Sequence, residues 1–276
     1  MTRNGINTWL IVELAMNVVY ELCLGLGYEN IHTCVNGCVL FRKNNASETE
    51  CPKCKEPRYR PGLKSNSTPR KILRHFPVIP RLLRMYRCRD IAELMQWHAQ
   101  NKSTDGKQRS VVDSKTWMDF DNKWPDFSQD PRNIRLGLAL DGVNPFSDQS
   151  TKWPTWLVFL IYYNFPPWLS TKSFFLILSS IIPRKHRTSY TIVIYLEPFF
   201  DELVELWKGI EAIQTLRDVH LVQFTLRASL LFMIHSLPAY GTLTSLNVHG
   251  HHACSTCIFK GFVRHSSSFH KCVYCC

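Results

Sequence analysis

The sequence predicts an α/β (α+β) protein: a small metal-binding module joined through a basic helical stretch to a larger β-rich domain. Two cysteine pairs lie close together early in the chain, Cys34-x3-Cys38 and Cys51-x2-Cys54. From Arg135 onward, apolar runs of strand length are separated by turn residues. Between those runs, residues 195–210 carry apolar side chains at helical spacing instead.

The chain has 276 residues, 45% hydrophobic and 20% charged. That balance belongs to folded proteins and excludes a disordered one. A net charge of +11 favours an anionic partner, nucleic acid first and an acidic membrane surface next. The apolar opening at residues 9–16 contains Glu13 and leads to no small-residue cleavage site, so the eleven cysteines do not read as a secreted disulfide framework. In a reducing compartment, cysteines in C-x-x-C-like groups point to metal. Residues 153–183 are the most membrane-like stretch, but Asn164, Pro166, Pro167 and Lys172 interrupt them. Neither half reaches the ~18–20 apolar residues of a spanning helix, so buried strands and no membrane partner are expected.

Four regions follow in order. Residues 1–33 read as an amphipathic helix, with Leu10, Leu14, Val18 and Leu22 on one face and a stop at Gly25 and Gly27. Residues 34–60 hold the zinc-binding module, 61–134 a basic helical linker, and 135–276 the β-rich domain. In that domain, residues 135–140 form a short strand ending at Asp141, and residues 156–163 and 174–182 form two more. The helix over 195–210 starts with Glu197, Asp201 and Glu202, acidic residues suited to a helix N-terminus. Residues 224–234 are a strand or a buried helix. Strand, strand, strand, helix, strand is the order of the first half of a ribonuclease-H-like fold.

The first four cysteines carry the strongest chemical signal. Thiolates from two close pairs, twelve residues apart, can converge tetrahedrally on Zn²⁺. The alternative is four buried free thiols. With four protein ligands no position is left for substrate, so the zinc is structural. Across residues 57–89 there are ten Lys/Arg and no Asp or Glu. Arg70, Lys71, Arg74, Arg81, Arg84 and Arg87 alternate with Ile72, Leu73, Phe76, Ile79, Leu82 and Tyr86, which predicts a helix pair with one basic face, broken at Pro77 and Pro80. Such a face can neutralise phosphates, although a charge run can also be plain solvated surface.

Residues 130–146 read D-P-R-N-I-R-L-G-L-A-L-D-G-V-N-P-F. This run resembles the D-P-R-N-x-R-L-G-L-x-x-D-G-x-N-P-F signature of plant CACTA-type (Enhancer/Suppressor-mutator) DNA transposases. The resemblance continues through Trp156-Leu157-Val158-Phe159, Tyr163-Asn164-Phe165-Pro166-Pro167-Trp168-Leu169, Tyr195-Leu196-Glu197-Pro198, Phe224-Thr225-Leu226-Arg227-Ala228 and Leu237-Pro238-Ala239-Tyr240-Gly241. Upstream it takes in Leu24-Gly25-Leu26-Gly27-Tyr28-Glu29 and Phe76-Pro77-Val78-Ile79-Pro80-Arg81-Leu82. It spans roughly residues 20–257 in colinear order. It implies a ribonuclease-H-like domain of the DDE/D type. The family's chemistry is phosphodiester cleavage and strand transfer at transposon ends, with three carboxylates holding two Mg²⁺ ions. It also implies a nuclear location, transposon-end DNA as partner, and homo-oligomers with full-length family members.

By that resemblance Asp141 is the first catalytic carboxylate. At the position of the second the chain has Ser236, a neutral and weak Mg²⁺ ligand, and the neighbouring His235 suits softer metals. The third acid, which the family carries farther downstream, is not among the 276 residues. Thr191 and Val193 stand where the family is usually acidic. Cys254-x2-Cys257 matches a family C-P-x-C segment with Ser255 in place of Pro. Its remaining ligands are open between His265 and His270, with Cys272, Cys275 and Cys276 as competitors. His249, His251 and His252 form a His-rich turn.

The expectation is therefore a truncated, degenerate transposase that binds DNA, carries structural Zn²⁺, and holds Mg²⁺ unproductively. A non-catalytic zinc protein reused by its host for DNA or protein binding is the alternative. A membrane-associated protein built around residues 153–183 is a third reading.

Overall fold

The computed structural model describes residues 25–62, 68–143, 155–183, 192–216, 220–235, 262–266 and 271–275, the last two ranges as backbone strands. In chain order the strands are β1 (Glu29–His32), β2 (Ile72–His75), β3 (Ile134–Val143), β4 (Thr155–Tyr162), β5 (Ile177–Ile182), β6 (Ile210–Thr215), β7 (Leu221–Leu226), β8 (Ala228–His235), β9 (Phe262–Ser266) and β10 (Lys271–Cys275). The helices are α1 (Val78–Arg87), α2 (Arg89–Leu94), α3 (Trp97–Gln100), α4 (Lys115–Lys123), α5 (Pro125–Ser128), α6 (Pro167–Ser170), α7 (Ile192–Tyr195) and α8 (Glu197–Lys208).

Six strands form one mixed sheet in the order β1-β2-β5-β4-β3-β8. β3 pairs antiparallel with β4, and β4 with β5. β2 pairs antiparallel with both β5 and β1. β8 lies parallel to β3. These pairings make β1, β3, β5 and β8 run the same way, so their C-terminal ends share one end of the sheet. A parallel neighbour requires a crossover, and the chain between β5 and β8 supplies it with α8 and the antiparallel β6–β7 ribbon.

The central strands are apolar on both faces, as strands covered on both sides are. On one face Leu136, Leu138 and Leu140 of β3 and Val158, Leu160 and Tyr162 of β4 pack with Leu82 and Tyr86 of α1 and Phe199 and Leu206 of α8. Each fully buried Leu or Phe contributes about 1.5–3 kcal/mol. On the other face Leu157, Phe159, Leu178 and Phe76 form a second cluster, and Trp117, Val112, Ile161 and Tyr163 a third. Gly137 marks a register shift between β3 and β8. A Cβ there would lie 2.6 Å from the Tyr163 ring, so only glycine lets the ring close over the strand.

Several expectations are met. The stretch 153–183 contains β4 and β5, and no described helix is long and apolar enough to cross a membrane. The 195–210 helix is α8, stopped by Gly209 at φ 103 before β6 begins. Others are corrected. Residues 72–75 are a strand rather than the first of two helices, because β2 finds hydrogen-bonding partners on both sides, in β1 and β5. Only the second helix forms, as α1; Pro80 falls in its first turn, where a missing N–H costs nothing. Strand β3 continues through Asp141 to Val143, beyond the expected end. Residues 224–234 divide between β7 and β8 rather than forming one element. The six-stranded sheet draws β1, β2 and β3 from stretches that the sequence reading assigned to different regions. The helix read from Leu10 to Leu22 lies outside the described residues.

Candidate metal centre and strand-end site

Cys34 lies two residues past the end of β1, and the chain turns there because Cys34 and Val39 pair across a small loop in which Gly37 donates to the Cys34 carbonyl. Gly37 takes φ 70, a left-handed conformation that glycine adopts without strain. The second pair sits on a similar turn, with Lys55 N–H donating to the Cys51 carbonyl and Cys51 N–H to the Glu56 carbonyl. The two turns bring the Sγ atoms of Cys34, Cys38, Cys51 and Cys54 within 4.8 Å of one another, with Cys34 and Cys54 3.4 Å apart. A tetrahedral ion with Zn–S bonds of about 2.3 Å needs sulfur atoms roughly 3.8 Å apart. The donor set therefore fits zinc, and it is the only group of three or more potential ligands among the described residues.

The surroundings treat the thiols unequally: Cys34 and Cys38 are raised by burial, whereas Cys54 is lowered. Burial pushes Cys54 up, but the Glu56 N–H, the Cys34 thiol and Asn36 outweigh it and hold the group at about 7. Asn36 Nδ2 stands 3.5 Å from the Cys54 sulfur. Burial and the neighbouring Cys54 and Cys34 push Cys38 up to about 12, so without a cation one thiol stays protonated beside another's thiolate. A divalent cation removes that conflict. Lys71, lowered by burial but drawn back by Cys34, adds a positive charge at the edge of what would be an anionic cluster.

The module is docked, not appended. Arg42, in the loop between the cysteine pairs, lies 2.6 Å from Asp201 and 3.3 Å from Glu197, and Lys43 lies 2.7 Å from Asp201. Although burial opposes it, Lys43 and Arg42 hold the Asp201 carboxyl below the usual carboxylate range. The adjacent Glu202 accepts from the N–H groups of Val78 and Ile79 at 2.7 and 3.1 Å, capping α1, whose own N-cap residue is Pro77. Its other oxygen is 3.2 Å from His75 Nε2, and His75 Nδ1 is 3.3 Å from Ser180 Oγ. The acidic start of α8 was legible in the sequence; its service to two other elements was not, since that depends on what packs beside it.

The basic stretch is divided by the fold. Arg81 is buried, donating to the carbonyls of Pro77 and Gly27. Arg70 pairs with Glu56, and Lys71 reaches the Val35 carbonyl and the Tyr195 ring. Arg84 is half-buried, whereas Arg74 and Arg87 are exposed.

The signature run is mostly architecture. Asp130 and Arg132 pair with each other. Buried Asn133 donates to the Phe127 carbonyl and accepts from the Arg227 N–H, and buried Asn164 ties Asn133 to Arg135. Arg135 is buried against Trp117 and ion-paired with Asp121. Asp141 is the exception. It is half-buried at the end of β3, and its Oδ1 accepts from the Gly142 N–H. Leu140 pairs with His235, so the ends of β3 and β8 are neighbours. Among the described residues Asp141 belongs to no group of three potential metal ligands, and hard divalent ions need several oxygens. Asp141 by itself does not make a two-metal centre, and Ser236, expected at the position of the second carboxylate, lies outside the described residues.

Ser236, Cys254, Cys257, His249, His251, His252, His270, Cys276 and Thr191 lie outside the described residues. Val193 is exposed on α7. The backbone pairs His265 with Cys272 across the β9–β10 hairpin, which brings together two of the positions considered for completing the second cysteine site.

A central mixed sheet flanked by a four-cysteine cluster defines a mixed α/β protein with a candidate metal centre. The chain belongs to the transposase family tnp2, whose sequence model matches residues 105–276, more than half of its length. No curated protein and no solved structure matches it.

Proposed function

We propose that this transposase-family chain is a DNA-binding protein of CACTA-type origin, located in the nucleus, with structural zinc and a ribonuclease-H-like sheet that does not cut DNA. One observation carries the reading: Leu140 and His235 pair on parallel strands β3 and β8, one residue before Asp141 and one before Ser236. The strand order β5-β4-β3-β8, with β3–β8 the one parallel pair among neighbours and a helix in the crossover, supports the ribonuclease-H-like assignment. Two neighbouring strand ends are where such a sheet gathers carboxylates, and here the residue that follows His235 in the sequence is a serine. A neutral ligand leaves too little negative charge to hold two cations in line with a phosphodiester.

The test is the full chain with DNA carrying family terminal sequences, in Mg²⁺ or Mn²⁺. The expected outcome is binding without nicking, and binding that weakens steeply as salt rises. Nicking that Asp141→Ala abolishes would overturn the claim of inactivity. Absence of binding at low salt would overturn the DNA-binding claim.

A further inference from the structure

We infer that the four-cysteine module is a metal-dependent latch on the N-terminal turn of α8, so that metal occupancy governs the order of the helix crossing the sheet. The inference rests on the zinc reading of the cysteines and adds what the metal controls.

Arg42 and Lys43 sit in the twelve-residue loop that a metal ion would close between Cys38 and Cys51. Together they make four close contacts with Glu197 and Asp201, across more than 150 residues of sequence. Lys43 holds φ 50 and Lys55 holds φ 60, and these are the two non-glycine residues at positive φ among the described residues. Both belong to the module. Such conformations persist only where the surroundings enforce them, and a metal ion binding four side chains of a short segment is such an enforcement. Released from the ion, the loop has few ways to keep Arg42 and Lys43 aimed at one helix end.

The consequence reaches past the contact. Asp201 is followed by Glu202, which caps α1 and meets His75 on β2. A loosened N-terminal half of α8 would therefore loosen the start of α1. Strand directions put the module at the same end of the sheet as Asp141. It lies four strands away, about 19 Å at the usual strand spacing.

Hydrogen exchange on the full chain tests the latch, with bound metal counted in the same samples. Three states are compared: zinc-loaded, chelator-treated, and zinc-loaded Arg42→Ala/Lys43→Ala. Both chelation and the double substitution should speed exchange in residues 199–205 about fivefold or more, the scale of a surface ion-pair network, while β3 and β4 keep their protection. The double variant should retain its zinc. Unchanged exchange in α8 after chelation, or in the double variant, would overturn the latch even if zinc is bound. Uniform loss of protection across the whole chain would also count against it, because the metal would then hold the entire fold. Protein that binds no zinc, yet loosens α8 on double substitution, would sink the zinc reading and with it the metal dependence, leaving the ion pairs.

Discussion

Arg135, the second residue of β3, is buried beneath Trp117 and forms an ion pair with Asp121 of α4. Its guanidinium lies 4.5 Å from the Trp117 ring centre and 5.3 Å from that of Phe127. This one side chain ties the helices before the sheet to its central strand. A signature position that could be taken for a DNA contact is committed to the interior.

Replacing Arg135 with Met should destabilise the chain by about 3 kcal/mol, because Asp121 is left largely buried with Lys102 as its remaining partner. Urea unfolding monitored by tryptophan fluorescence would measure it. A loss under about 1 kcal/mol would show that Asp121 relaxes into solvent.

His98 lies against Trp117 with tilted rings, beside Arg135, and burial, then the Arg135 charge, lower it to about 4. The unfolded imidazole titrates near the ordinary 6.5, so between these values the unfolded chain binds the extra proton. Stability is therefore full above that range and falls as pH drops from about 6.5 to 4, by on the order of 3 kcal/mol in total. Denaturation midpoints of the wild type and His98→Gln should converge at low pH. Parallel curves would mean that another group carries the dependence.

Gly137→Ala should cost about 1–3 kcal/mol, since the new methyl meets the Tyr163 ring at 2.6 Å. Tyr163→Leu should recover part of that loss when combined with it. A thermodynamic cycle with no coupling would show that the backbone at the register shift, and not the ring, excludes a side chain.

Among the six basic residues picked out by sequence, Arg74 and Arg87 should carry DNA affinity and Arg81 should not. Arg74→Ala/Arg87→Ala should flatten the dependence of log affinity on log salt by about 2 without changing stability. Arg81→Ala should instead lower the melting temperature, because its hydrogen bonds are internal. Equal salt slopes for the wild type and the double variant would move the interface elsewhere.

Much of this protein is written in local pattern. The β4, β5 and α8 segments follow from apolar runs and helical spacing, and the cysteine cluster from two short pairs whose geometry is set within each turn. Family membership is carried by the signature run itself. Tertiary structure decided what local pattern cannot encode. Ile72 to His75 are compatible with helix by spacing, and became a strand because β1 and β5 offered hydrogen bonds on both edges. Arg81 and Arg135 look like surface cations, yet the carbonyls of nearby Pro77 and distant Gly27, and the Asp121 carboxylate, made their burial tolerable. Glu202 reads as a helix start, and its second task arose only when α1 came to rest beside α8. Spacing specifies which residues can share a face, whereas the fate of a charge depends on which partners long-range packing delivers to it.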